Sequence, residues 1–152
     1  MKPLVKLEGF KEMDVALGEF SKATARNILR RAGLAALEPV AEVMKDKAPK
    51  RREDLRDAIH TGTKRQKGSK KHFPESSTVE TYAGVSVVGG GMPPQAIQQE
   101  FGNENHGPQP YGRPAWDQEQ RLTLERVKDS LGSEIDKARA RAQRRAKRAG
   151  KG

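Results

Sequence analysis

Apolar residues in the first third of the chain recur at the three- and four-residue spacings of an α-helix. Phe10, Met13, Leu17 and Phe20 fall on one face of a short helix. Ser21 or Thr24 offers a hydroxyl to cap a second helix. In it Ile28, Leu29, Ala32, Ala36, Val40, Val43 and Met44 keep the period to about Lys47, with Arg26, Arg30, Lys45 and Lys47 elsewhere on the surface. Pro39 lies inside this run. It lacks a backbone donor and crowds the preceding turn, which predicts a kink or a split. Ala48-Pro49 ends the helix, and the charges from Arg51 to Asp57 surround Leu55, Ala58 and Ile59, as in a short helical turn or the approach to a strand.

The period then changes. Val79, Thr81, Ala83, Val85 and Val87 alternate with Glu80, Tyr82, Gly84, Ser86 and Val88, the pattern of a strand. Its expected partner is the segment Ala58 to Thr63, with Lys64, Arg65, Lys67, Lys70 and Lys71 in a basic connecting loop interrupted by Gly68 and Ser69. Gly89-Gly90-Gly91-Met92-Pro93-Pro94 ends the strand, and Ala96 to Phe101 reads as a last short strand or a helical turn. Beyond a Pro-rich segment, Trp116, Leu124, Val127, Leu131 and Ile135 form a stripe fitting a long helix from about Pro114, with Gln120 its weak point. After Ile135 the apolar residues are all alanines, which extend a helix by propensity but bury little. The expected fold is α+β: a small antiparallel sheet packed against long N-terminal and C-terminal helices. It forms one domain over residues 1–136, followed by a polybasic helical or disordered tail at 137–152.

Composition narrows this picture. An apolar fraction of 34% and a mean hydropathy of −0.89 imply a small core for 152 residues, with much helix surface left to water or to a partner. The absence of cysteine excludes disulfides, a thiolate nucleophile and a Cys-ligated zinc, and suits a reducing compartment. The first residues lack the apolar run of a secretory signal, and no stretch approaches the ~20 apolar residues of a membrane span, so a soluble protein is expected. The net charge of +10 is unevenly spread: Lys137, Arg139, Arg141, Arg144, Arg145, Lys147, Arg148 and Lys151 follow Asp136 with no acid among them, and the body is nearly neutral.

No catalytic constellation emerges. His60, His72 and His106 lie in different predicted elements without a metal-ligand spacing, and solvated histidines are the plainer account. The glycines at 89–91 lead into Pro93-Pro94 rather than into the Lys-Ser/Thr and helix N-terminus of a phosphate loop, so a turn is expected. Asp117 and Glu119 read as first-turn acids offsetting a helix dipole. Neither an enzyme, nor a metal, nor a cofactor is expected. The basic tail has a stronger case: on a helix Lys137, Arg141, Arg144 and Arg148 form one cationic stripe, with Arg145 beside it, suited to phosphates or an acidic protein surface. It lacks aromatic residues for stacking single-stranded bases.

The ordered set of Phe10 to Phe20, the helix to Lys47, Ala48-Pro49, Leu55-Arg56-Asp57-Ala58-Ile59, the strand Val79 to Val88, Glu100-Phe101-Gly102 and Arg113-Pro114-Ala115 resembles the tail-component family of lambda-like siphophages. That group includes minor tail protein Z and the tail-completion proteins of the neck. The resemblance covers roughly residues 9 to 135, with Arg51-Arg52-Glu53-Asp54 where many members carry Thr-Gly, and leaves the polybasic extension outside the motif pattern. It implies a structural virion protein, assembled in the host cytoplasm. As a ring at the head-proximal end of the tail, six-membered by analogy, it would make the tail competent to join a DNA-filled head. Implied partners are other copies, neighbouring neck or adaptor proteins, tail-terminator or tail-tube proteins, and genomic DNA in the channel, with no membrane. Interface candidates are Leu55, Arg56, Ile59, Glu100, Phe101, Gly102, Tyr111, Arg113 and Pro114, with Phe101 and Tyr111 as inter-subunit anchors and Arg113 pairing with a neighbour's carboxylate. Trp116 is expected to cap its own core. The alternative from another class is a nonspecific nucleic-acid-binding protein acting through the tail.

Overall fold

The computed structural model describes residues 9–50, 53–63, 79–86 and 95–151. Two long helices organise it. α2 (Lys22–Lys47) and α5 (Gly112–Ala149) run antiparallel, so that Ile28 near the start of α2 packs with Leu131 and Ile135, while Met44 near its end packs with Tyr111 and Ala115. The short α1 (Phe10–Gly18) lies against α5 at one end of the pair. α3 (Glu53–Ala58), β1 (Ile59–Gly62), β2 (Tyr82–Val85) and α4 (Gln95–Phe101) gather at the other.

Each boundary has a local cause. Ser21 is the cap of α2, its hydroxyl accepting from the Thr24 backbone N–H at 3.3 Å. α2 ends at Ala48, whose ψ of 144° is the extended conformation that a following proline imposes. α2 continues through Pro39 as one helix, so the expected split does not occur. The flanking Ala36, Val40 and Ala41 are buried, and their packing offsets the missing hydrogen bond. The Arg56 side chain donates to the Lys45 carbonyl at 3.2 Å and ties α3 to the last turn of α2.

β1 and β2 form an antiparallel ladder with Ile59 opposite Val85 and Gly62 opposite Tyr82. This is the expected pairing, with a shorter second strand. The basic loop between the strands, the glycines at 89–91 and Val87-Val88 lie outside the described residues. The segment from Ala96 to Phe101 is helical rather than extended.

The core comes in two clusters, both spanned by α2 and α5. Val40, Ala41, Met44, Ala48, Leu55, Ile59, Ala96, Tyr111 and Ala115 fill the sheet end, and Ala16, Ile28, Ala32, Leu131, Ile135 and Ala138 fill the α1 end. On α5 the buried residues begin with Ala115, Glu119 and Thr123, one position away from the stripe that Trp116 and Gln120 suggested. Trp116 is 46% exposed and does not cap the core, because alanine at 115 lets α5 lie close to α2 and turns the indole outward. Glu119 is not a first-turn acid. It is buried beside Arg126, whose Nη1 lies 2.7 Å from its carboxylate; the hydrogen bonds of Arg126 and Gln118 hold that carboxyl below its usual pKa range.

Gly33 sits where a β-carbon would stand 2.7 Å from Thr81 Oγ1 and 2.8 Å from Thr81 Cγ2. The sheet rests on α2 at this point, and only a residue without a side chain permits the approach. Gly33→Ala should therefore lower the urea midpoint despite the ~1 kcal/mol that alanine gains over glycine in a helix. In a Thr81→Ala background the same substitution should be neutral or stabilising. Equal destabilisation in both backgrounds would show that contact with Thr81 is not the constraint.

Candidate functional site

The two motif segments around Glu100 and Arg113 meet at the N-terminus of α5. Glu100, on the last turn of α4, is 8% exposed. One of its carboxylate oxygens accepts from the backbone N–H groups of Tyr111 at 2.9 Å and Gly112 at 2.8 Å. The other accepts from the Arg113 backbone N–H and from Arg113 Nε, both at 3.0 Å. Arg113 Nη2 donates to the Glu100 carbonyl at 3.0 Å.

A helix leaves its leading N–H groups without partners inside the helix. Here three of them converge on one carboxylate, and the next position, Pro114, has no donor to satisfy. Burial raises the Glu100 pKa. The backbone donors of Gly112, Arg113 and Tyr111 and the Arg113 side chain outweigh it and hold the carboxyl below its ordinary value of 4.5. The positive end of the helix dipole acts in the same direction.

Phe101 and Gly102 complete the clasp. The Arg113 guanidinium lies 4.9 Å from the centre of the Phe101 ring, which gives the arginine an aromatic platform on its outer side. Gly102 has φ +78°, and a β-carbon there would approach the Pro108 nitrogen to 2.9 Å. The left-handed turn ends α4 and lets the chain double back, so that the Gln109 N–H reaches the Gln99 carbonyl at 2.7 Å. Asn103 holds the intervening turn, its side-chain carbonyl accepting from the backbones of Asn105 at 2.8 Å and His106 at 3.0 Å. Tyr111 is buried and donates its hydroxyl to the Ala96 carbonyl at 3.0 Å; burial, and then the charge of Glu100, push its pKa up to about 12.

Several of the expected interface residues are engaged within the chain itself. Leu55 and Ile59 are fully enclosed in the chain's own core, and Glu100 and Tyr111 are buried, so none presents its side chain to a neighbour. Arg113 pairs with Glu100 of its own chain. Gly102 shapes the turn and Pro114 the helix start, and Arg56 is spent on the α2 terminus. Phe101 alone of the two expected anchors stands outward, 62% exposed, with Ile97 at 60% one turn earlier. Ile97 had no signal in the sequence beyond its four-residue spacing from Phe101. Between this face and β2 lies a cleft of about 350 Å³ lined by Met44, Val85, Ala96 and Tyr111 among others.

At the far end of α5 the basic residues separate into two groups. Arg139 makes a fork-like pair with Glu19, with its nearest contact at 3.1 Å, and Lys137 pairs with Glu134 at 3.2 Å. Every residue from Arg141 to Lys151 is exposed, including Arg144, Arg145 and Arg148. Among the described residues no group of three His, Cys, Asp or Glu could hold a metal ion, and no helix is long and apolar enough to cross a membrane.

The clasp yields a stability prediction. Glu100→Gln replaces an acceptor oxygen by an NH2 facing N–H donors and should cost about 2–3 kcal/mol in urea unfolding at pH 7. Because the folded carboxyl is held below its unfolded value of 4.5, the glutamate's contribution is fully present above that value. It is lost as pH falls through the lower, folded pKa. The stability gap between wild type and variant should narrow over that acidic window, and a gap independent of pH would contradict the charged clasp.

Comparison with protein families matched residues 11–88, about half of the chain, to the HK97-gp10-like family, described as "Bacteriophage HK97-gp10, putative tail-component". Comparisons with curated proteins and with solved structures gave no match. The matched region takes in α1 from its second residue, α2, α3 and the β1–β2 pair, and the Glu100 clasp lies beyond it. The match takes in half of the chain, and the chain belongs to the HK97-gp10-like family of phage tail components.

Proposed function

We propose that the protein is a structural, non-catalytic subunit of the phage neck. Copies assemble as a ring at the head-proximal end of the tail and make it competent to join the filled head. The observation that carries this reading is the family match over α1, α2 and the sheet. A small core with large apolar side chains left outside it supports the assembly step.

A ring of identical subunits needs two different, complementary patches. The face of α4 bearing Ile97 and Phe101 supplies one, with the apolar cleft beside it. Among the described residues, Val15 on α1 and Trp116 and Leu122 on α5 are the other exposed large apolar side chains, and the second is drawn from them. Arg113 keeps Phe101 in place before association, so little side-chain entropy is lost when a neighbour docks. Six copies would match the sixfold symmetry of a tail, and the ring's neighbours would be an adaptor on the head side and tail-terminator or tail-tube proteins on the other.

Two experiments test this. In lysates of the parent phage with the reading frame disrupted, negative-stain electron microscopy should show filled heads beside unattached tails of normal length. Intact virions in normal yield would overturn the proposal. For the assembly surface, Ile97→Asp combined with Phe101→Asp should abolish the oligomer in light scattering while the far-ultraviolet circular dichroism stays unchanged. An undiminished ring in that variant would exclude the α4 face as the contact.

A further inference from the structure

We propose that the exposed end of α5, from Arg141 to Lys151, is a docking element for duplex DNA that grips phosphates without reading sequence. The proposal is independent of the ring. α5 runs unbroken to Ala149, past the last contacts with the body at Ala138 and Arg139. Beyond them Arg141, Arg144, Arg145, Lys147 and Arg148 are exposed, and no acid follows Asp136 in the sequence. At 3.6 residues per turn these five side chains span an arc of roughly 160°. The opposite side carries Ala142, Ala146 and Ala149.

Several features favour a polyanion. Arg141 is three residues from Arg144 and four from Arg145, and Arg144 is four from Arg148, spacings at which like charges repel on a helix surface. The macrodipole accounts for cations only in the last turn, which holds Lys147 and Arg148. The remaining repulsion is relieved when a polyanion replaces the small counterions around them. Arg141 and Arg144 also line, with Lys137 and Ala140, a shallow hollow on this surface, so that two exposed cations from successive turns lie side by side.

The choice of DNA over an acidic protein follows from what this segment lacks. A protein interface draws its affinity from buried aromatic or large aliphatic anchors, and alanine is the largest apolar residue after Ile135. Phosphate binding needs only the cations. The choice of duplex over single strand follows from the missing aromatic platforms. An α-helix with its side chains is about 10–12 Å across, which the ~12 Å-wide major groove admits, and the wide cationic arc can face phosphates on both groove walls.

The test uses the full chain and a fluorescent 30-base-pair duplex of arbitrary sequence, followed by anisotropy across a salt series. Binding should weaken with salt with a log–log slope of about −5, as six released counterions require, counting Lys151. A variant with Arg141, Arg144, Arg145 and Arg148 all changed to Gln should bind at least tenfold more weakly at low salt, with a slope near −2 or shallower. These side chains are exposed and glutamine is a good helix former, so circular dichroism and the urea midpoint should be unchanged. A control changing Lys22, Arg26, Arg30 and Arg121 to Gln removes the same charge from the exposed body surface and should retain binding. The proposal is overturned if the duplex does not bind at low salt, or if the control loses as much affinity as the tail variant. It is also overturned if polyglutamate of equal charge displaces the duplex stoichiometrically, the result expected of an acidic protein surface.

Discussion

One buried carboxylate fixes where the longest element of the molecule begins. Glu100 takes up the leading N–H groups of α5, and Arg113 closes over it from the same helix. A charge so enclosed would be unfavourable by itself. Three backbone donors, a guanidinium and the helix dipole together stabilise it as an anion. The consequence is positional. With Tyr111 and Ala115 locked against Met44 and Ala96, the rotation of α5 about its own axis is set. That rotation decides which residues of a 38-residue helix meet α2 and which face outward.

The contact between α2 and α5 depends on small residues. Ala32, Ala36 and Ala41 on one helix and Ala115 and Ala138 on the other are buried, and Gly33 admits the sheet. Small side chains bring helices close but bury little area each, consistent with a low apolar fraction and with Ile97, Phe101, Trp116, Leu122 and Val15 left outside. The apolar surface left over is the surface the proposed assembly would use.

The same helix joins the two surfaces invoked for function. Its N-terminus is clasped to α4, which carries the Ile97 and Phe101 face, and its C-terminus projects the arginines beyond the body. Because α5 is continuous between them, a subunit contact through the α4 face would also fix the direction in which each copy's basic end points. Identical subunits in a closed ring would present these ends with the ring's own symmetry.

Hydrophobic period was enough to read the helices α1 and α2, the pairing of Ile59–Gly62 with Tyr82–Val85, and a long terminal helix, because each buries a regular face. The alanine-proline stop was legible for the same local reason, while the cap was narrowed only to Ser21 or Thr24 and the structure places it at Ser21. The register of α5 was not. Its buried face opens with Ala115, Glu119 and Thr123, which hydrophobicity ranks below Trp116 and Leu124, and the gap at Gln120 was the only sign of the offset. Nor could the sequence show that Glu100 and Arg113 belong to each other. Their motif looked like surface material for a partner, and only the left-handed turn at Gly102 brings residues 11 to 13 positions apart into one hydrogen-bonded unit. Composition and spacing thus determined the fold class and the cationic tail, since those depend on local period and charge, while the family followed from the order of short motifs and the match over residues 11–88. Tertiary structure decided which motif residues are buried, because burial depends on what the rest of the chain places beside them.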